Sequence, residues 1–225
     1  MHRLQMEDAN MQASFENNGV VYVGAPIVID DYLLMTNFPV SSLADLEGKK
    51  IGAPGAALNW LKGTGAVGVS GNLTTYYNEI KTGVFDGVIV FASAALPGKL
   101  FEVAPYITRA GLGAQYAGSI CANADWWNGL PAEVQTAMSE AAAETGEWYV
   151  SNLEAAVTGA FEAMGAAGAT ITDAPQDMRD AWAGGMDNAA KAWAAGIPGG
   201  TDVLSTYMEE MRAAGATPLR DWDKE

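Results

Sequence analysis

The chain has 225 residues, 49% of them hydrophobic and 17% charged, and its 27 acidic against 12 basic side chains give a formal net charge of −15. At this length folding takes roughly 70% of the unfolded chain's surface out of water, so one or two domains form without disulfide or metal staples, and the charge repels phosphate backbones, which excludes nucleic acid as a partner. A single histidine, His2, and a single cysteine, Cys121, rule out Ser-His-Asp and Cys-His sets, His-rich zinc sites and any internal disulfide.

In chain order, Met1-His-Arg-Leu-Gln-Met-Glu-Asp is polar and acidic where a signal peptide has a positive start and an apolar core. Val20-Val-Tyr-Val-Gly-Ala and Ile27-Val-Ile are β-branched runs, and Tyr32-Leu-Leu-Met-Thr continues extended until Asn37-Phe-Pro39 breaks it. Ser41 to Gly48 reads as one helical turn, capped by serine and ended by glycine. A repeating unit follows. Lys49-Lys-Ile-Gly-Ala is a strand, Gly55 to Lys62 a short helix, Ala66-Val-Gly-Val a strand, Asn72 to Thr82 a helix with Asn72 as N-cap, and Gly87-Val-Ile-Val-Phe-Ala a buried strand. That βαβαβ order implies a parallel sheet with right-handed crossovers. The longest apolar runs, Val20 to Ile29 and Gly87 to Leu96, are about half of a bilayer span, which speaks against direct membrane insertion. Cys121 lies in the apolar stretch Gly118-Ser-Ile-Cys-Ala with no cationic neighbour, as expected of a buried, inert thiol.

The second half is mostly helical. From Ala132 to Met164 the apolar positions Val134, Met138, Ala141, Trp148, Leu153, Val157, Phe161 and Met164 keep one stripe facing a core, with Pro131 at the opening and Gly165 and Gly168 at the close. Gly146 and Gly159 each weaken that helix by about 1 kcal/mol. A helix this long exceeds a small domain's diameter and is expected to bridge two lobes. Ala169-Thr-Ile-Thr reads as a strand, followed by helices from Gln176 to Ala195 and Thr201 to Ala214.

Gly63-Thr-Gly-Ala-Val-Gly68 matches G-x-G-x-x-G, yet it follows a helix and precedes a strand, the reverse of a dinucleotide site, so it reads as a helix end and tight turn. Gly68-Val-Ser-Gly-Asn72 lacks the final glycine of a nucleophile elbow and has no histidine to activate Ser70. The pairs Glu7-Asp8 and Asp30-Asp31 show no calcium-loop spacing and read as solvated faces, so no metal and no cofactor is expected. Ala53-Pro-Gly-Ala-Ala-Leu-Asn59 leaves two readings open: a plain strand-to-helix turn, or a ligand contact at the carboxyl end of a parallel strand.

Four segments in order resemble the substrate-binding proteins of tripartite ATP-independent periplasmic (TRAP) transporters, the DctP-like family. They are Leu43-Ala-Asp-Leu-Glu-Gly-Lys-Lys-Ile followed by Ala53-Pro; Tyr76-Tyr-Asn-Glu-Ile-Lys-Thr-Gly-Val-Phe-Asp-Gly87; Lys99-Leu-Phe-Glu-Val-Ala-Pro-Tyr-Ile-Thr108; and Asp125-Trp-Trp-Asn-Gly-Leu-Pro-Ala-Glu-Val-Gln-Thr-Ala-Met138. The resemblance implies an α/β, type II periplasmic-binding-protein-like fold with two lobes, parallel-type sheets and a long bridging helix. Residues 1–29 and 118–157 are expected in lobe I, and 30–117 and 158–225 in lobe II. Family members carry a further upstream stretch with a signal peptide, so the chain is read as N-terminally incomplete. The implied activity is binding without chemistry: a periplasmic receptor takes a small organic solute into an interlobe cleft and passes it to the membrane permease subunits of a TRAP transporter.

The resemblance also places solute contacts, at Tyr32, Gly52, Gly55 and Val90; Asn59 in the turn after the strand, and Leu73 and Phe91, which with Tyr32 and Val90 suit a more apolar, aromatic, neutral or amine-bearing ligand, complete the candidates. Most relatives have an arginine at the position of Gly52, an asparagine at Gly55, a polar residue at Val90 and a basic residue at Tyr32, so the usual carboxylate clamp is missing. Either another cation, Arg109 being the nearest candidate, replaces it, or the ligand is not a simple carboxylate. Two other functions stay open: an α/β enzyme using carboxylates or tyrosines such as Tyr32 and Asp86, and a sensory module that reports ligand to a signalling partner.

Overall fold

A computed structural model describes residues 2–114 and 117–225. The chain divides into two compact units: Met1–Val28, Tyr116–Asn152 and Asn188–Glu225 in the first, Ile29–Gln115 and Leu153–Asp187 in the second.

In the first unit, α1 (His2–Glu7) and α2 (Ala9–Asn17) precede β1 (Val20–Val28). Asp8 is the N-cap of α2, accepting from the amides of Asn10 and Met11 at 2.9 and 3.0 Å, so half of the Glu7-Asp8 pair is a capping group. The two β-branched runs form one strand, β1, which pairs antiparallel with a later strand, Ala117–Asn123, through two register shifts around Gly24. The expected parallel-type sheet is therefore absent from the described part of this unit. Its core is Val23, Ala25, Ala122, Trp127 and Ala142. Cys121, the register partner of Tyr22, is exposed rather than buried.

The second unit is built on β2 (Tyr32–Thr36), β3 (Lys50–Ala53), β4 (Val67–Ser70), β5 (Gly87–Phe91) and β6 (Tyr106–Arg109), with α3 (Tyr76–Lys81) and α4 (Ala92–Ala95) among them. After β6 the chain forms β7, the Ala117–Asn123 partner of β1, then α5 (Ala124–Asn128), α6 (Ala132–Ala166) and β8 (Thr170–Asp173). Last come α7 (Gln176–Gly185), α8 (Ala189–Ala194) and α9 (Gly200–Ala213). The six-stranded sheet runs β4-β3-β5-β2-β6-β8, with β2 antiparallel to both neighbours and the other pairs parallel. The βαβαβ reading holds for β3, β4 and β5.

Strand alternation sorts the core into two faces. Leu33, Met35, Val88, Val90 and Ile107 meet α3 and the Ala160–Met164 end of α6. Tyr32, Leu34, Ile51, Ala53 and Ile89 meet Leu46, Ala57, Leu61 and the Met178–Trp182 side of α7. A period of two thus makes a three-layer sandwich from strands buried on both sides.

Three local expectations shift. The segment Gly55–Leu61 is a 3-10 helix, and Asn72 opens an Asx turn by accepting from the Thr74 amide at 3.0 Å, leaving Thr75 as N-cap of a shorter α3. The expected helix from Gln176 to Ala195 is two, α7 and α8, separated at Met186–Asn188. The long helix, by contrast, is continuous over its 35 residues, and its residues divide between the two units at Asn152.

Helix α7 belongs to the second unit as expected for the C-terminal helices, whereas α8 and α9 belong to the first. Arg3 pairs with Glu210, and Asn10 packs against Gly199. Arg212 then holds the final segment through Asp221 at 2.7 Å and through Asp223, which keeps the Asp223 carboxyl below its usual pKa. Among the described residues no helix is long and apolar enough to cross a membrane.

Candidate functional site

In the six-stranded sheet the carboxyl ends of β3, β4, β5, β6 and β8 and the amino end of β2 lie along one edge, because β2 alone is reversed. Backbone amides and carbonyls at such an edge have no continuing ladder, which is why ligands of open α/β sheets collect there. Tyr32, Gly55, Leu73 and Phe91 all stand on this edge or on the loops leaving it, and Gly52 and Val90 lie one residue inside it. Asn59 sits half-buried on the 3-10 helix that follows β3.

These residues do not form one group. Tyr32 is paired with Phe91 across the β2–β5 ladder, the rings 5.2 Å apart edge to face, and the Trp60 ring lies 5.0 Å away on its other side. Trp60 is in turn held from α7, where the Trp182 indole donates to the Trp60 carbonyl at 2.6 Å. Tyr32 is only 2% exposed, so this aromatic cluster is a wall more than an open surface. Leu73 is 42% exposed on the turn after β4. Val90 faces the other way and is fully buried beneath α6 with Leu33 and Met164, which makes it a packing residue.

Gly52 has a clear physical cause. A Cβ placed there would lie 2.7 Å from the Phe85 ring and 3.2 Å from Val88, so aromatic packing fills the space in which the resemblance puts an arginine. Gly55, with φ +46°, turns the chain from β3 into the 3-10 helix. That helix is one short piece, and the strand-to-helix segment Ala53–Asn59 is a turn without a long helix dipole behind it. The G-x-G-x-x-G segment is likewise structural: Gly63 has φ +76° and passes so close to the Gly185 backbone that any side chain would strike it.

A pocket of about 220 Å³ opens on the α6 face of the same edge, lined by Asp31, Tyr32, Leu33, Arg109, Val157 and Phe161. Arg109 and Asp173 are register partners on β6 and β8 and form an exposed ion pair at 2.7 Å, worth at most about 1 kcal/mol. The Arg109 guanidinium also lies over the Phe161 ring, 5.4 Å from its centre. Asp30 is buried and accepts from the amide and hydroxyl of Ser93 at 3.0 and 2.6 Å, tying the start of β2 to α4. Asp31 is different. Although its outer surface is exposed, the carboxyl is shielded from water, which raises its pKa; neighbouring Asp30 adds to this, and a Gly113 backbone hydrogen bond and the charge of Arg179 offset it. Nε of Arg179 is itself buried without a hydrogen-bond partner among the described residues.

From the sequence, Arg109 was a candidate and Asp31 only half of a carboxylate pair. Val157 and Phe161 belonged to a core stripe, and Trp60 and Arg179 carried no signal. The β6–β8 register and the approach of α6 bring them in. Tyr32 and Asp86, the residues an enzyme reading relied on, lie at opposite ends of β5, roughly 16 Å of extended chain apart, and Asp86 accepts the Lys50 amide at 2.8 Å as a strand-end tie. Among the described residues no three His, Cys, Asp or Glu side chains converge as metal ligands do.

A six-stranded sheet with one reversed strand and helices packed on both faces agrees with the α/β fold that the resemblance implies. Residues 1–196 match DctP, the bacterial extracellular solute-binding protein family 7, and the chain belongs to that family. Among solved structures it is similar to a TRAP periplasmic solute-binding protein from Desulfovibrio salexigens with bound orotic acid, at 21% identity and TM-score 0.82, covering 94% of this chain and 69% of that one. A Bordetella pertussis extracytoplasmic solute receptor binding pyroglutamic acid gives 20%, 0.79, 88% and 65% in the same order. A TRAP periplasmic solute-binding protein from Sulfitobacter sp. NAS-14.1 with bound β-D-galacturonate gives 19%, 0.78, 90% and 68%. The chain thus spans about two thirds of each, and at these identities the likeness is one of fold. No curated protein matches the sequence.

Proposed function

We propose that the chain is the solute-capturing part of a periplasmic receptor that binds a small organic molecule at the carboxyl edge of its six-stranded sheet and delivers it to the permease subunits of a TRAP transporter. Membership of the solute-binding family supports this reading, and the observation that carries it is the gathering of Tyr32, Phe91, Asp31 and Arg109 along one edge beside a pocket of solute size. In this reading Gly55, Asn59 and Leu73 complete the rim, while Gly52 and Val90 shape the wall from behind. No bond is made or broken. With Phe85 packed against Gly52, a carboxylate guest has no clamp at the end of β3, so the ligand is not held as a simple acid would be in relatives that carry arginine there.

Thermal-shift and calorimetric titration of the chain against galacturonate, orotate, pyroglutamate and a set of small amines and amino acids tests it. At least one solute is expected to raise the melting temperature in a concentration-dependent way, by mass action on the folded state. A flat response across the whole panel would sink the proposal.

A further inference from the structure

The pocket on the α6 face receives two opposite charges. Continuing the β2–β6 register, in which Leu34 faces Thr108, by one residue sets Arg109 opposite Leu33, with Asp31 two positions along on the same face. Diagonal neighbours of this kind lie roughly 7–8 Å apart, close enough for one small molecule to touch both. The two side chains do not neutralise each other: Arg109 is bonded to Asp173, and Asp31 is in no ion pair among the described residues. A guanidinium has five N–H donors, so the bond to Asp173 leaves others for a guest. Between the charges the lining is Leu33, Val157 and Phe161. A pocket of about 220 Å³ holds roughly seven waters, or a solute of about that many to ten heavy atoms.

Resting on the receptor reading above, we infer that this pocket selects a small aliphatic amino acid, its ammonium on Asp31, its carboxylate on Arg109 and its side chain against Leu33, Val157 and Phe161. A plain acid brings a like charge to Asp31, and a plain amine brings one to Arg109. Only a molecule with both ends satisfies both walls. The arrangement also gives a use to a carboxylate that folding places where ionisation is costly. Arg179 and Asp30, the other charged groups near Asp31, are set to modulate it: Arg179 favours the ionised form and Asp30 opposes it.

The test is calorimetry with L-leucine, with 4-methylpentanoate, which lacks the amine, and with 3-methylbutylamine, which lacks the carboxylate. Leucine is expected to bind at least about tenfold more tightly than either analogue, the scale of one charge-assisted hydrogen bond. Asp31→Asn is expected to cost leucine tenfold or more and to leave 4-methylpentanoate unweakened; Arg109→Gln is expected to cost leucine similarly and to spare the amine. The analogue comparison needs no variant, so it decides the matter even where a substitution impairs folding. Leucine binding no better than 4-methylpentanoate overturns the inference. If galacturonate, orotate or pyroglutamate binds while leucine does not, the inference falls and the receptor reading stands; if nothing in either panel binds, both fall.

Discussion

Two corners of the same sheet edge are filled in opposite ways. At the end of β3 the corner is closed: Gly52 has no side chain, and the Phe85 ring lies where one would begin. Between β2 and β6 the corner is open, and Asp31 and Arg109 enter a pocket floored by α6. The strands end differently, in Gly52-Ala53 at one corner and in the charged Asp31 and Arg109 at the other. The layer behind them differs too, a packed aromatic in one case and a helix face of spaced side chains in the other. A ligand contact in this fold is therefore set as much by the supporting layer as by the residue on the strand.

The largest effect is expected from forcing the closed corner to resemble the open one. Gly52→Arg must displace Phe85 and bury a guanidinium among apolar side chains, and is expected to destabilise the protein by more than about 4 kcal/mol in urea unfolding, against about 1–3 kcal/mol for Gly52→Ala. A Gly52→Arg protein as stable as the parent would show that the corner is not closed. A smaller effect is expected at the wall between the corners. Trp182→Phe removes the indole N–H and leaves the Trp60 carbonyl without that donor, so a loss of about 1–2 kcal/mol is expected, together with a change in the near-ultraviolet dichroism of the Tyr32–Trp60–Phe91 cluster. Unchanged spectra would break the link between α7 and that cluster.

The smallest effect belongs to the open corner. The Asp31 pKa is raised by shielding from water, so ionising it costs more in the folded chain than in the unfolded one. The native state is penalised as pH rises from the ordinary carboxylate range through the raised value. Asp31→Asn is accordingly expected to raise the melting temperature modestly at pH 7 and to make no difference below about pH 4. The opposite sign at pH 7 would mean that Arg179 already neutralises Asp31. Amino-acid binding should run the other way, weakening as acid protonates the same carboxyl.

Much of the second unit was legible in the sequence. The apolar run Gly87–Phe91, with glycine-ended helical pieces before it, specifies a buried parallel strand, and the stripe from Val134 to Met164 specifies a long helix, since periodicity reports how many faces of an element are covered. The candidate site was legible only in part. Tyr32 and Phe91 were recognised, but their contact follows from an antiparallel register between the distant strands β2 and β5, and alternation turns Val90 to the opposite face from Phe91. Cys121 is exposed where its apolar stretch predicts burial, because composition does not say which positions of a strand its neighbours will cover. The placement of α8 and α9 depended on partners as distant in sequence as Arg3 and Asn10.

By itself the sequence determined the α/β class, the succession of strands and helical pieces from β3 to β5 and the continuous long helix, because each depends on local period or turn residues. Only the tertiary structure decided that Phe85 occupies the corner at Gly52, that Arg109 is bonded to Asp173 while Asp31 is in no ion pair among the described residues, and that α8 and α9 dock on the first helices. Those outcomes rest on which side chains meet after the chain has closed on itself, and contacts of that range leave no periodic trace along it.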